Sequence, residues 1–227
     1  MKSLTHFINE AHRNEANSEI IDEDEKTYIN YSHKYFEYLN NNNKLRKVIE
    51  ETFNEDISNV VKIMNDNHIS NFISKKITPY IIEYYLANKM SDVNEFVFKQ
   101  SEENSENKDI SCTGINKKIL KEDIFKDIKN PLEFFSIELK CTSGKSITGN
   151  KSYAIDNPDK PKKNKQSFYI LISYDYSDNK DNENNKNITI KLRNAYFGYI
   201  VQNDWIYGDS GNSSRLRIKN NRIIQII

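Results

Sequence analysis

The chain has 227 residues, 37% of them hydrophobic, and balances 33 Lys and Arg against 33 Asp and Glu for a formal net charge of +0. That length suits one large domain, or a domain with a small subdomain, and the charge balance argues against a nonspecific polybasic binder. Two cysteines, Cys112 and Cys141, give neither a disulfide framework nor zinc spacing, no run reaches membrane-spanning length, and Met1-Lys2 leads into polar residues without a signal-peptide core, so a protein of a reducing cytoplasm is expected.

Residues 1–99 read as helical. Tyr28–Leu39 and Leu45–Met64 carry apolar residues at mixed three- and four-residue spacings, with Asn41-Asn42-Asn43 as a polar break between them. Thr78-Pro79 is a helix start, Thr78 as cap and Pro79 at the first helical position, and the helix runs to Met90. Ser101–Lys108 is a polar loop. Strands are then expected near Ile119–Ile128, Phe134–Cys141, Phe168–Tyr174, Ile188–Leu192 and Tyr196–Tyr207, with Asp178–Asn187 (DNKDNENNKN) as a disordered polar turn. Helices first and strands later make the fold class α/β or α+β. The four histidines, His6, His12, His33 and His68, lack metal-ligand spacing. Trp205 is expected in the core.

The chemistry concentrates in Asp123–Thr142, DIFKDIKNPLEFFSIELKCT. Asp123-Ile124-Phe125 and Phe134–Ile137 read as two strands joined by a turn at Asn130-Pro131. That register sets Asp123 opposite Glu138. Asp127 lies on the same strand face and competes for the same place. Glu138 and Lys140 share a face because side chains alternate along a strand. Two carboxylates and the Leu139 carbonyl are hard oxygen ligands for a divalent ion, and a lysine beside them can orient water or stabilise charge on a phosphate. Cys141 next to them reads as a small buried hydrophobe, not a nucleophile.

This stretch resembles the PD-(D/E)XK nuclease core and, within it, the type II restriction endonucleases of the EcoRV-like, blunt-cutting branch. The motif's proline is absent, since Glu122 precedes Asp123. Ile147–Tyr153 followed by Phe168–Tyr176 is similar to the family's glycine turn and next core strand, and Asp204–Ser214 resembles a strand running into a glycine-rich recognition loop. The likeness covers roughly Asp123 to Arg217.

The resemblance implies a restriction-endonuclease-like core, a mixed central sheet flanked by helices, in a single endonuclease domain over 1–227. Residues 1–100 would be a mainly helical dimerisation and support part, and 101–227 the catalytic and DNA-recognition core. It implies a homodimer in the bacterial cytoplasm that cuts a palindromic double-stranded DNA site with Mg²⁺ held by Asp123, Glu138 and Leu139, leaving 5′-phosphates and blunt ends. Lys140 would orient the attacking water. Glu83 would correspond to the family's helical glutamate, against the alternative of an exposed helix residue. Asn150, Lys151, Ser152 and Tyr153 after Gly149, with Lys160–Lys165, suit phosphate contacts. Gly208 and Gly211 would let the backbone approach a groove, with Asn212, Ser213, Ser214, Arg215 and Arg217 contacting DNA. Basic residues outnumber acids after Lys186, which fits one DNA-gripping face. Two alternatives stay open, a repair or structure-specific nuclease of the same superfamily and a noncatalytic DNA-binding protein.

Overall fold

Helix α1 (Glu23–Leu39) opens with Glu23, Asp24 and Glu25, negative charge at the end where the backbone dipole is positive, and buries Ser32, Tyr35 and Leu39. The computed structural model describes residues 23–70, 76–93, 95–101, 108–144, 146–154, 166–182, 185–207, 213–218 and 220–227. The asparagine break after α1 is a single turn in which Asn42 and Asn43 take left-handed φ of 55° and 58°, a conformation asparagine tolerates. Helix α2 (Lys44–Glu51), a wide π-helical turn (Thr52–Ile57) and helix α3 (Ser58–Asp66) follow without interruption. Ile49, Phe53, Ile57 and Val61 recur every fourth residue, a longer period than an α-helix holds on one face; the wide turn absorbs the drift and keeps all four buried. Helix α4 (Thr78–Lys89) has Pro79 in its first turn, but Thr78 is a buried helical residue and not the side-chain cap expected.

The helical part ends sooner than its apolar spacing predicts. Phe96–Gln100 is strand β1, which alternates buried Phe96 and Phe98 with exposed Val97, and it pairs antiparallel with β2 (Ile110–Ile115). The short helix α5 is Pro131–Phe134. Strands β3 (Ile137–Thr142), β4 (Thr148–Asn150), β5 (Ser167–Asn182), β6 (Asn185–Ile200), β7 (Trp205–Tyr207), β8 (Ser213–Leu216) and β9 (Ile223–Gln225) complete the chain. They form a six-stranded mixed sheet in the order β1-β2-β3-β5-β6-β9 and a small sheet in the order β4-β8-β7. In the large sheet β3 and β5 are parallel and the other pairs antiparallel. This is a mixed α/β fold, as expected.

Alternation along β5 builds two cores. Phe168, Ile170, Ile172 and Tyr174 join the helices in the main core, while Tyr169 and Leu171 face Ile147, Tyr196, Ile200 and Trp205 under the small sheet. Residues 178–182 and 185–187 of the polar run continue the hairpin. Asp178 pairs with Ile188 and Asn179 with Asn187, so the backbone ladder persists where the apolar pattern ends.

The expected strand at Ile119–Ile128 is absent. Ile119–Lys121 is a tight helical turn, and irregular turns run to the start of α5. The cause is aromatic. Phe125 is 1% exposed and packs against Tyr31, Phe134 and Phe135, while the Asn130-Pro131 pair starts a helix, its Asn130 amide bonded to Glu133 at 2.8 Å.

Candidate active site

Because the expected hairpin does not form, its acid is elsewhere. Asp123 points into solvent, its side chain 98% exposed and ion-paired to Lys126 at 3.3 Å. Asp127 is also exposed, on the wall of a cleft with Tyr28, Tyr31 and Lys129. Neither faces Glu138.

The carboxylate that does is Asp109. Strand β2 pairs with β3 through Ile110 and Ile137, which sets Asp109 level with Glu138. Asp109 Oδ2 accepts the Leu139 N–H at 2.7 Å, and the Asp109 carbonyl accepts the Ser101 N–H at 3.1 Å. Further along, the two strands part: the Cys112 N–H bonds to Ser136 Oγ at 3.0 Å, and Ser136 donates to the Leu132 carbonyl at 2.7 Å. A buried side chain thus replaces the backbone ladder and satisfies the Cys112 donor it leaves.

Glu138 is 3% exposed on the sheet face that carries Tyr169 and Leu171, its neighbours in the parallel register being Tyr169 and, for Lys140, Leu171. Leu139 turns the other way into the main core. The Lys140 ammonium donates to the Leu139 carbonyl at 2.7 Å, lies 3.1 Å from Glu138 Oε1 and 3.7 Å from Asp109 Oδ2. Burial opposes its charge, but Glu138, Asp109 and Glu83 together hold its pKa above the ordinary lysine value.

Glu83 comes from α4, which packs on β3 and buries Ile82, Leu86 and Ala87. Burial pushes its carboxyl up to about 8; Lys140 pulls it down, and Asp109 and Glu138 raise it again. Glu83 is therefore half-buried and coupled electrostatically to the cluster, not an exposed helix residue.

Among the described residues no group of three or more His, Cys, Asp and Glu side chains stands close enough to hold a metal ion. The oxygen set is two carboxylates and a backbone carbonyl, and it already holds a cation, the Lys140 ammonium. Hard oxygens gathered around a positive charge, two carboxylates and the Leu139 carbonyl, fit a divalent ion.

The expected DNA-contacting residues lie mostly around the small sheet. Strand β8 pairs Ser213, Ser214 and Arg215 with Asn150, Gly149 and Thr148 of β4. Ser214 is fully buried and Arg217 exposed. Ser152 is buried and Tyr153 half-buried, its ring against Trp205. Gly149 is a packing glycine and not a flexible joint, since a Cβ there would collide with Tyr153 and stand 2.9 Å from Trp205. Gly208, Gly211, Asn212 and Lys160–Lys165 lie outside the described residues. The basic count after Lys186 overstates the DNA-gripping face: Arg193 is ion-paired to Asp175, and Arg222 is 2% exposed.

One buried and one half-buried carboxylate with a lysine, set where an antiparallel strand pair meets a parallel one, define a candidate centre for cutting a phosphodiester. Residues 39–227 match the family described as ScaI restriction endonuclease. The chain belongs to the ScaI restriction endonuclease family. An 81-residue stretch is 30% identical to the type II restriction enzyme ScaI of Streptomyces caespitosus; it is 35% of this chain and spans 33% of that enzyme. The crystal structure of the restriction endonuclease BglI bound to its DNA recognition sequence is similar at a TM-score of 0.41 and 9% identity, over 88% of this chain and 96% of that one, a likeness too loose to bear on the fold.

Proposed function

We propose that this protein is a type II restriction endonuclease that hydrolyses a phosphodiester in each strand of a palindromic double-stranded DNA site. The observation that carries this reading is the gathering of Asp109, Glu138 and Lys140 around the Leu139 carbonyl, within 3.7 Å of the ammonium. Asp109, Glu138 and that carbonyl would hold a divalent cation, Mg²⁺ by the chemistry of the donors. A cation bound there lowers the pKa of a water and offsets charge on the phosphate.

The chain's own groups do the rest. The Leu139 N–H fixes the Asp109 carboxylate, so no reorganisation is needed as charge develops. Lys140, released from the Leu139 carbonyl, orients the attacking water and donates to a phosphate oxygen. Glu83 stands behind the cluster as a further carboxylate. The loop 208–212 and the β8 residues Ser213 and Arg215 read bases, while the region around Asn150 and Lys151 contacts phosphates. A two-fold site calls for a two-fold protein, so the active form is a homodimer. Its products carry 5′-phosphates and blunt ends.

The test is digestion of a sequenced phage genome with Mg²⁺, followed by end mapping, with Glu138→Ala as control. Discrete fragments with one common end sequence, absent in Glu138→Ala, are expected. A smear or cutting at branched structures would indicate a repair-type nuclease. No cutting with retained sequence-specific binding would indicate a noncatalytic DNA-binding protein.

A further inference from the structure

A buried ion triad at the base of the β7–β8 hairpin has no part in the chemistry above. Asp204, 5% exposed, closes the turn Gln202–Asp204 just before β7, and Arg222, 2% exposed, closes the turn Asn220–Arg222 before β9. Arg222 Nη1 donates to Asp204 Oδ2 at 2.9 Å and Nη2 to Oδ1 at 2.5 Å. On the other side, Arg222 Nε lies 2.7 Å from Glu25 Oε1 in the first turn of α1, and the guanidinium stands 5.9 Å over the Tyr28 ring.

Asp204 also closes both ends of the hairpin. Its Oδ2 accepts the Val201 N–H at 2.8 Å, and its carbonyl accepts the Arg217 N–H at 2.7 Å. The turn bearing Arg222 sits directly on β6, because a Cβ at Gly198 would collide with the Arg222 carbonyl. One arginine therefore joins α1, the hairpin base and the edge of the large sheet.

A buried ionic cluster is a weak source of net stability, since desolvation offsets most of the attraction. A planar fork doubly hydrogen-bonded to Asp204 and ion-paired to Glu25, however, favours one relative orientation of the segments it joins. The segment next in the chain is Trp205, whose ring packs 6.2 Å from Tyr169, the register partner of Glu138.

We infer that Arg222, acting through Asp204 and Glu25, is a positioning residue that sets the DNA-reading hairpin against the cutting centre, so that it governs sequence discrimination without touching DNA. This rests on the reading of residues 208–215 as the base reader.

The experiment measures cognate and single-mismatch affinities in Ca²⁺, once the site is mapped, for wild type, Arg222→Gln, Arg222→Lys, Glu25→Gln and Asn212→Ala. Arg222→Gln is expected to lower the cognate-to-mismatch ratio about tenfold or more, the scale of one misplaced base contact. Nonspecific affinity and salt slope should stay unchanged, because no phosphate contact is lost. Arg222→Lys should recover part of the ratio. An unchanged ratio in folded Arg222→Gln would overturn the inference. If that variant does not fold, Glu25→Gln, which removes only the α1 arm, decides it in the same way: a lowered ratio supports the inference and an unchanged one overturns it. Asn212→Ala separates the two claims. If it lowers the ratio and the triad variants do not, only the triad inference fails; if it leaves the ratio unchanged, the reader assignment fails and takes this inference with it.

Discussion

The Lys140 ammonium donates to the Leu139 carbonyl at 2.7 Å, so the lysine engages an oxygen proposed for the divalent ion. A metal bound to that carbonyl at ordinary oxygen distances would meet a like charge unless the lysine turned away. Lys140→Met removes the competitor and keeps both carboxylates. We expect calorimetry on the DNA-free protein to show Ca²⁺ affinity raised about tenfold or more, a modest share of the roughly 4 kcal/mol between unit charges 4 Å apart at an effective dielectric of 20. Cleavage in Mg²⁺ should fall by about 10²-fold or more, as when a group that stabilises transition-state charge is removed. Equal or weaker Ca²⁺ binding would show that the ammonium does not compete.

Asp109 and Asp123 should separate cleanly. Asp109→Asn keeps an oxygen for the Leu139 N–H but removes a charge from the cluster, and single-turnover cleavage should drop by about 10²-fold or more. Asp123→Ala should cleave at the wild-type rate and unfold within about 0.5 kcal/mol of wild type, as expected for an exposed residue. Loss of cleavage in Asp123→Ala with retention in Asp109→Asn would return the first acid to the position that hairpin geometry suggested.

Both thiols should be inert in the folded protein. Burial pushes Cys112 up to about 11, only partly offset by a backbone hydrogen bond at Gly114, and burial followed by the Glu83 charge raises Cys141 well above the usual thiol range. At pH 8 roughly a thousandth of Cys112 is thiolate, so iodoacetamide should leave the native chain unmodified and label both cysteines in urea. The sign of the linkage follows. The folded protein keeps the Cys112 proton that the unfolded chain loses near pH 8.5, so this contribution is complete below about 8.5 and declines as pH rises toward 11. Rapid labelling of native Cys141, which is half-buried, would contradict the raised pKa assigned to it.

Gly149→Ala tests the small sheet. Its Cβ has no room beside Tyr153 and Trp205, and overpacking of this kind costs about 1–3 kcal/mol. Urea unfolding should report that loss, with cognate cleavage failing at a lower temperature than in wild type. A variant as stable as wild type would mean that β4 moves aside freely.

Glu138 and Lys140 were legible because E-x-K lies in a β-prone stretch and alternation puts both on one face, although the strand begins at Ile137 and the Phe134 before it ends a helix. Trp205 was legible from its place between a strand and a glycine-rich loop. Asp109 was not. It ends a polar tract, and its strand, Ile110–Ile115, lacks a clean alternation; only the Ile110–Ile137 pairing brings it to Glu138. Asp123 attracted attention because it is close in sequence, and the burial of Phe125, a tertiary effect, turned it outward. Arg222 was counted as a surface charge because a sequence does not reveal that Glu25, far upstream, meets it.

The parallel pairing of β3 with β5 has a kinetic consequence. Parallel neighbours need a crossover, and the crossover between them carries β4, which must find β8 much later in the chain. Glu83, Asp109 and Glu138 likewise come from three separate elements. Contacts of such long sequence separation form late in folding. A nascent or half-folded chain therefore contains the acids and the lysine without the proposed cutting centre, which exists only once the whole architecture has closed.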